Sequence, residues 1–126
     1  LAAQRFPRTA RLLRKREFDR VFGSPLRRSG EFFRGQVLAN VGGEARLGLA
    51  IAKRAVPASV DRNRLRRIVR ETFRVLRAEL GPLDYVIGAK PGAGEIDNAR
   101  LRADLERLLR RLAALNPPSP PGTITG

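Results

Sequence analysis

The stretch VDRNRLRRIVRETFRVLR, residues 60–77, carries seven arginines and two acids. Like charges at that density repel one another along a helix and work against it. The remaining residues nonetheless keep helical time. Leu65, Ile68, Val69, Thr72, Phe73, Leu76 and Leu80 fall on one stripe at about 100° per residue, which predicts a helix over 59–80 that packs on a sheet. Ser59 is the expected N-cap, and Asp61 suits the positive end of the helix dipole. Asn63, Arg67, Arg70, Arg74 and Arg77 lie opposite the stripe, flanked by Arg64 and Arg66, with Arg62 turned back toward the sheet. A solvated surface helix mixes signs, as in Glu–Lys pairs. Here Glu71 is the only acid between Arg62 and Arg77, so the outer face reads as a surface for a polyanion.

Outward from this helix the chain predicts an α+β sandwich of order α-β-β-(β)-α-β-α. A first helix over 15–22 stops at the breaker Gly23-Ser24-Pro25. Residues 25–33 are irregular or a short edge strand. Residues 36–41 form a strand, Gly42-Gly43 a turn, and 46–52 the returning strand, as in a hairpin. After the helix, Gly81-Pro82 ends it and 84–89 form a further strand. Pro91-Gly92-Ala93-Gly94 is a loop. Asp97 caps a last helix with Leu101, Leu105, Leu108, Leu109 and Leu112 on its inner face, and Asp104 and Glu106 facing solvent. Residues 1–115 are expected to form a single RNA-binding domain, with 1–10 a flexible basic lead-in. Residues 116–126, rich in Pro, Gly, Ser and Thr, read as a disordered tail.

The net charge is +14 over 126 residues, and it is not uniform. Residues 1–34 and residues 53–77 each carry +7, while the rest nets zero. This two-part footprint points to nucleic acid, with an anionic membrane as second candidate. Arginine outnumbers lysine 23 to 3. Bidentate phosphate binding and base stacking favour arginine; so does a GC-rich genome, which does not account for the clustering. With no Cys and no His, the soft metal ligands and the commonest general base are missing. No secretory signal and no run of ~18 apolar residues is present, so a cytoplasmic, non-membrane protein is expected. The chain begins at Leu1 and holds no methionine, so its natural start is not read from it.

Arg62-Asn63-Arg64-Leu65-Arg66-Arg67, with Arg70 beyond, resembles the RNR signature of the protein subunit of bacterial ribonuclease P. Three further segments resemble that family in the same order: Phe18-Asp19-Arg20-Val21-Phe22 its first helix, residues 46–54 the strand before the RNR helix, and Asp84-Tyr85-Val86-Ile87 the strand after it. The resemblance spans roughly residues 11–112. It implies that Arg62, Asn63, Arg64, Arg66, Arg67 and Arg70 bind the catalytic RNA subunit. It also implies a cleft between the first helix and the sheet that binds the 5′ leader of precursor tRNA, with Phe18 and Phe22 as its aromatic positions. Two phenylalanines at i, i+4 suit a core equally well; aromatic faces stack on unpaired bases without a sequence requirement. Lys53, Arg54 and Lys90, at strand ends beside this face, are candidate leader-phosphate contacts. The family often has a tyrosine facing the leader, and the matching position is read as Ala39. The resemblance further implies a left-handed crossover around the RNR helix, against the ~98% right-handed rule.

Leu47, Leu49 and Ile51 point one way along their strand, and Gly48, Ala50 and Ala52 the other. So small a face suits an extended RNA strand or a closely packed helix. Pro91-Gly92-Ala93-Gly94-Glu95 lacks the Lys-Ser/Thr of a P-loop, and no two carboxylates form an acid/base couple. The expectation is therefore a ribonuclease P subunit with no catalytic residue, metal or cofactor of its own. The endonucleolytic chemistry would lie on the RNA subunit with its Mg²⁺, and ribonuclease P RNA and precursor tRNA would be the partners. The alternative is a general basic RNA-binding or ribosome-associated protein. A DNA-binding module would show a short recognition helix in a helix-turn-helix, and neither DNA nor membrane is expected as a partner.

Overall fold

The computed structural model describes residues 15–40 and 43–115, with the backbone alone described for 15–18. The expected lead-in, the tail, Val41 at the end of the expected strand, Gly42 of the expected turn and the Phe18 side chain lie outside the described residues. The elements are α1 (Lys15–Phe22), β1 (Arg27–Ser29), β2 (Phe33–Ala39), β3 (Arg46–Leu49), α2 (Ser59–Leu76), β4 (Leu83–Ala89) and α3 (Asn98–Ala113). Short 3₁₀ turns at Arg77–Glu79 and Ala93–Glu95 follow α2 and precede α3.

The sheet order is β1-β2-β4-β3. β2 pairs antiparallel with β1 and β4, while β3 pairs parallel with β4. This corrects the expected hairpin. β2 and β3 are consecutive in sequence, but β4 inserts between them, and α2 carries the crossover from β3 to its parallel neighbour. The reason lies in β4 itself: all seven of its residues are buried. A strand covered on both faces belongs in the sheet interior, hydrogen-bonded on both edges.

One face of the sheet carries the main core. Phe33, Val37, Leu47, Tyr85 and Ile87 pack there against Leu65, Val69 and Phe73 of α2 and the five leucines of α3, all of them fully or almost fully buried. Gly35 makes the close approach of α3 possible, because a Cβ there would sit 2.6 Å from Leu112 Cδ1. The other face carries α1, whose Val21 meets Val86, Leu38 and Ala50. The small-residue side of β3 is thus covered in part by a helix.

Four local expectations are corrected. Ser59 is the first helical residue and not the cap; Ala58 holds the N-cap position without a side-chain bond. α2 narrows to a 3₁₀ turn after Leu76 instead of continuing as α-helix to Leu80. Ala39 is buried in the main core. β2 alternates with Phe33, Gly35, Val37 and Ala39 inward, so Arg34, Gln36 and Leu38 face the α1 side. Asp104 does not face solvent. Its side chain accepts hydrogen bonds from the backbone N–H groups of Glu31 (2.7 Å), Phe32 (2.9 Å) and Phe33 (3.2 Å). Three backbone donors at the partly buried β1–β2 corner need an acceptor, and the buried Asp104 of α3 supplies it. Asp97, by contrast, caps α3 as expected, accepting from Arg100 N–H.

Candidate nucleic-acid interface

The arginines of α2 divide by what they touch. Arg62 donates to the carbonyls of Val56 (3.0 Å) and Pro57 (2.7 Å). Arg64 donates to Ile96 O (3.0 Å), Asn98 Oδ1 (2.7 Å) and Gly94 O (2.7 Å), fastening α2 to the entry of α3. Arg74 pairs with Glu71, and Arg77 with Glu44. Arg66 donates to Asn63 Oδ1 at 3.0 Å. Arg67 and Arg70 are exposed and bond to no described residue. Asn63, Arg66, Arg67 and Arg70 therefore form the outward polar face. Arg62 and Arg64 sit at its edge with their guanidinium groups engaged by the chain's own carbonyls.

A second surface opens on the opposite side of the sheet. A cleft of about 350 Å³ lies between the end of α1 and strands β1, β2 and β4. Its floor follows from register, since directly opposed residues share a face. Arg27 lies opposite Gln36 and Gln36 opposite Val86, while Arg34 lies opposite Gly88. A Cβ at Gly88 would stand 3.3 Å from Ala50 O and 3.7 Å from Arg34 Nε, so Gly88 packs closely on the β3 end, with Arg34 in ordinary contact beside it. Phe22 forms one wall, with 46% of its surface exposed. Arg27, Arg28 and Arg34 are all exposed at the cleft.

Of the residues read as leader contacts, Phe22 alone among the described side chains lines the cleft. Lys53 and Arg54 are exposed in the turn after β3 and do not line the cleft. Lys90 does not line it either; its Nζ donates to Gly30 O at 2.7 Å and ties β4 to the β1–β2 corner. Sequence reasoning missed Arg27, Arg28, Arg34 and Gln36. The signal was present as positive charge within residues 1–34, but the phase of β2 was needed to aim it.

Among the described residues, the buried carboxylates Asp84 and Asp104 both hold the fold. Asp104 binds the β1–β2 corner as described. Asp84 accepts from Arg46 Nε and Nη2, each at 2.8 Å, and from Asn40 Nδ2 at 2.9 Å. Among the described residues no group of three or more His, Cys, Asp or Glu is placed to hold a metal ion, and no helix is long and apolar enough to cross a membrane.

The family model described as Ribonuclease P matches residues 6–113. The chain belongs to the ribonuclease P protein family. The ribonuclease P protein component of Thioalkalivibrio sulfidiphilus is 46% identical over 110 residues, covering 87% of this chain and 92% of that protein. The component of Halorhodospira halophila is 44% identical, covering 85% and 88%. Among solved structures, the ribonuclease P protein of Thermotoga maritima, in complex with 1-(4-fluorophenyl)-2-thiourea, superposes with a TM-score of 0.73 at 27% identity, covering 79% of this chain and 98% of that one. The Staphylococcus aureus protein gives 0.74 at 22% identity, covering 81% and 94%, and so shares the fold. The α+β reading and the ribonuclease P reading both stand, and a protein component of a tRNA-processing enzyme is what these relatives place here.

Proposed function

We propose that this ribonuclease P protein binds two RNAs at once. The outer face of α2, with Asn63, Arg66, Arg67 and Arg70, holds the catalytic RNA subunit by phosphate and shape contacts. The cleft holds the single-stranded 5′ leader of precursor tRNA, with Phe22 and Phe18 stacking on bases and Arg27, Arg28 and Arg34 facing phosphates. Arg62 and Arg64 contribute charge at the edge of the RNA-subunit face and position α2. Lys53 and Arg54 meet leader phosphate beyond the cleft, and Lys90 acts from behind its corner. Hydrolysis takes place on the RNA subunit with RNA-bound Mg²⁺, in the cytoplasm, with neither membrane nor DNA as partner. The protein adds leader affinity and screens phosphate repulsion.

The observation that carries this reading is the pair of arginine-rich surfaces on opposite faces of one sheet: α2 packs on one face and the cleft opens on the other. A general RNA-binding protein needs only one. The test is the affinity of the assembled holoenzyme for precursor and for mature tRNA. Phe22→Ala should weaken precursor binding by roughly tenfold, since base–aromatic stacking contributes ~1–3 kcal/mol, and leave mature tRNA unaffected. Equal losses for both would return Phe22 to a packing role.

A further inference from the structure

α2 and α3 run side by side in the same direction, and two contacts fix their register. Arg64 of α2 donates to Asn98 Oδ1 at the start of α3 (2.7 Å). Glu79, in the 3₁₀ turn that extends α2, pairs with Arg110 near the end of α3 (3.5 Å). Asn98, Arg102, Glu106 and Arg110 are spaced i, i+4, i+8 and i+12, so they form one row along α3. Both ends of that row touch α2 or its extension. Arg102 and Glu106, between them, therefore stand along the seam as well. The facing row of α2 is Arg64, Arg67, Glu71 and Val75. Packed helices lie ~8–10 Å apart, so side chains of both rows reach one strip of surface.

The strip has two unlike halves. Toward the C-terminal ends, acids answer the arginines: Glu71 pairs with Arg74, and Arg110 with Glu79 and Glu106. In the other half, α2 has no acid from Arg62 to Arg70 and α3 none from Asn98 to Ala103. Asp61, in the first turn of α2, is turned to the loop before α3, where a Cβ on Gly94 would lie 3.4 Å from its Oδ2. Arg67 and Arg102 are exposed in this half and bond to no described residue. An ordinary solvated arginine at position 102 has an acid within reach at i+4, but Arg110 holds that acid, Glu106, at 3.6 Å.

We infer that Arg102 is a further contact for the RNA subunit, whose backbone crosses the seam from α2 onto the first half of α3 and stops before Glu71 and Glu106. This rests on the reading of the outer face of α2 as the surface for that RNA. A phosphate lying on the seam meets guanidinium groups from both helices, Arg67 on one side and Arg102 on the other. One turn further along it meets carboxylates, which repel it. Contacts from two helices also fix the direction in which the RNA crosses, which arginines along α2 alone leave free. α3 lies outside the two segments that hold the chain's excess charge, so only the fold brings Arg102 to this face.

The experiment measures the affinity of the full chain for the RNA subunit across a range of monovalent salt at fixed Mg²⁺, for the parent and for Arg67→Ala, Arg102→Ala, Arg102→Lys and Arg110→Ala. Arg102→Ala should bind roughly fivefold more weakly at low salt. It should also lower the slope of log affinity against log salt by about 0.7–0.9, the share of one phosphate. Arg102→Lys should restore the slope, because counterion release follows charge. Arg110→Ala removes the same charge two turns along and should leave the slope at its parental value. The melting curve of Arg102→Ala should overlay that of the parent, since the side chain bonds to nothing in the described fold. A lowered slope for Arg67→Ala beside an unchanged slope for Arg102→Ala would overturn the inference and leave the RNA face of α2 standing. Equal losses for Arg102→Ala and Arg110→Ala would overturn it too, because net charge and not the seam would then set the affinity. Unchanged slopes for both Arg67→Ala and Arg102→Ala would remove the RNA face of α2 and this inference together.

Discussion

Arg64 and Arg67 are three positions apart on one helix and differ completely in what they touch. Arg64 holds two carbonyl oxygens of the segment leading into α3 and the side-chain oxygen of its first residue, Asn98, while Arg67 bonds to no described residue. Arg64→Ala should therefore destabilise the fold by about 1–3 kcal/mol, the range for hydrogen bonds from a charged donor. Arg67→Ala should stay within about 0.5 kcal/mol of the parent. Binding to the RNA subunit should show the reverse pattern: Arg67→Ala should reduce the slope of log affinity against log salt by about one phosphate contact. Denaturant melts and a salt titration of each variant check both halves. The arginine density of α2 was plain in the sequence. Its division was not, because Arg64's partners lie some 30 residues downstream and only the fold brings them near. Tyr85 gives a second prediction at this scale. Among the described residues its buried hydroxyl makes no hydrogen bond of good geometry, and burial pushes its pKa well above the ordinary 10.0, outweighing a weak pull downward from the Gly81 backbone. Above pH 10 the unfolded chain releases a proton that the folded chain keeps, so this residue's contribution to stability is constant below pH 10 and falls as pH rises beyond it. Tyr85→Phe keeps the edge-on contact with Phe73, at 5.7 Å between centroids. It should be neutral or stabilising by up to about 1 kcal/mol at neutral pH, and it should lose less stability than the parent above pH 10. A melt series from pH 7 to pH 11 that is identical for both proteins would contradict this.

At the scale of elements, periodicity revealed α2 and α3 almost whole. The positions on their apolar stripes are the buried ones, while Val60 and Val75, off the stripe, stay exposed. Strands were less legible. The phase of a strand depends on a one-residue choice, and matching the family's leader-facing tyrosine to Ala39 picked a position on the core face, one residue out of phase with the cleft. The β4 insertion was invisible for a different reason. A turn at Gly42-Gly43 supports a local hairpin, and only the demand of β4 for cover on both faces displaces it. Asp104 was hidden by its type, since a carboxylate on a helix next to Glu106 and Arg107 reads as surface. Its three backbone partners make it a fastening between α3 and the β1–β2 corner, where Gly30 leaves only 2.6 Å between a would-be Cβ and Asp104 Oδ1. Asp104→Ala should cost about 3 kcal/mol, because three N–H groups lose their acceptor in a buried place. Amide hydrogen exchange at residues 31–33 should accelerate ahead of exchange in α2. A variant with parental stability and unchanged exchange would show that the corner holds itself.

For the whole molecule, the sequence revealed the charge and the structure revealed its layout. Two segments each carry +7. The fold sends the second to α2 on one side of the sheet, and directs Arg27, Arg28 and Arg34 of the first to the cleft on the other. A chain arranged this way can bridge two polyanions that would otherwise repel each other. The most direct test is cleavage by the reconstituted enzyme. The RNA subunit from the same source is mixed with precursor tRNA carrying a labelled 5′ leader, at Mg²⁺ low enough that the RNA alone is slow. The account predicts leader release at the mature 5′ end only when protein and RNA are both present, with the requirement for protein relaxing as Mg²⁺ is raised. Tight binding of the protein to the RNA subunit without any stimulation of leader release would contradict it.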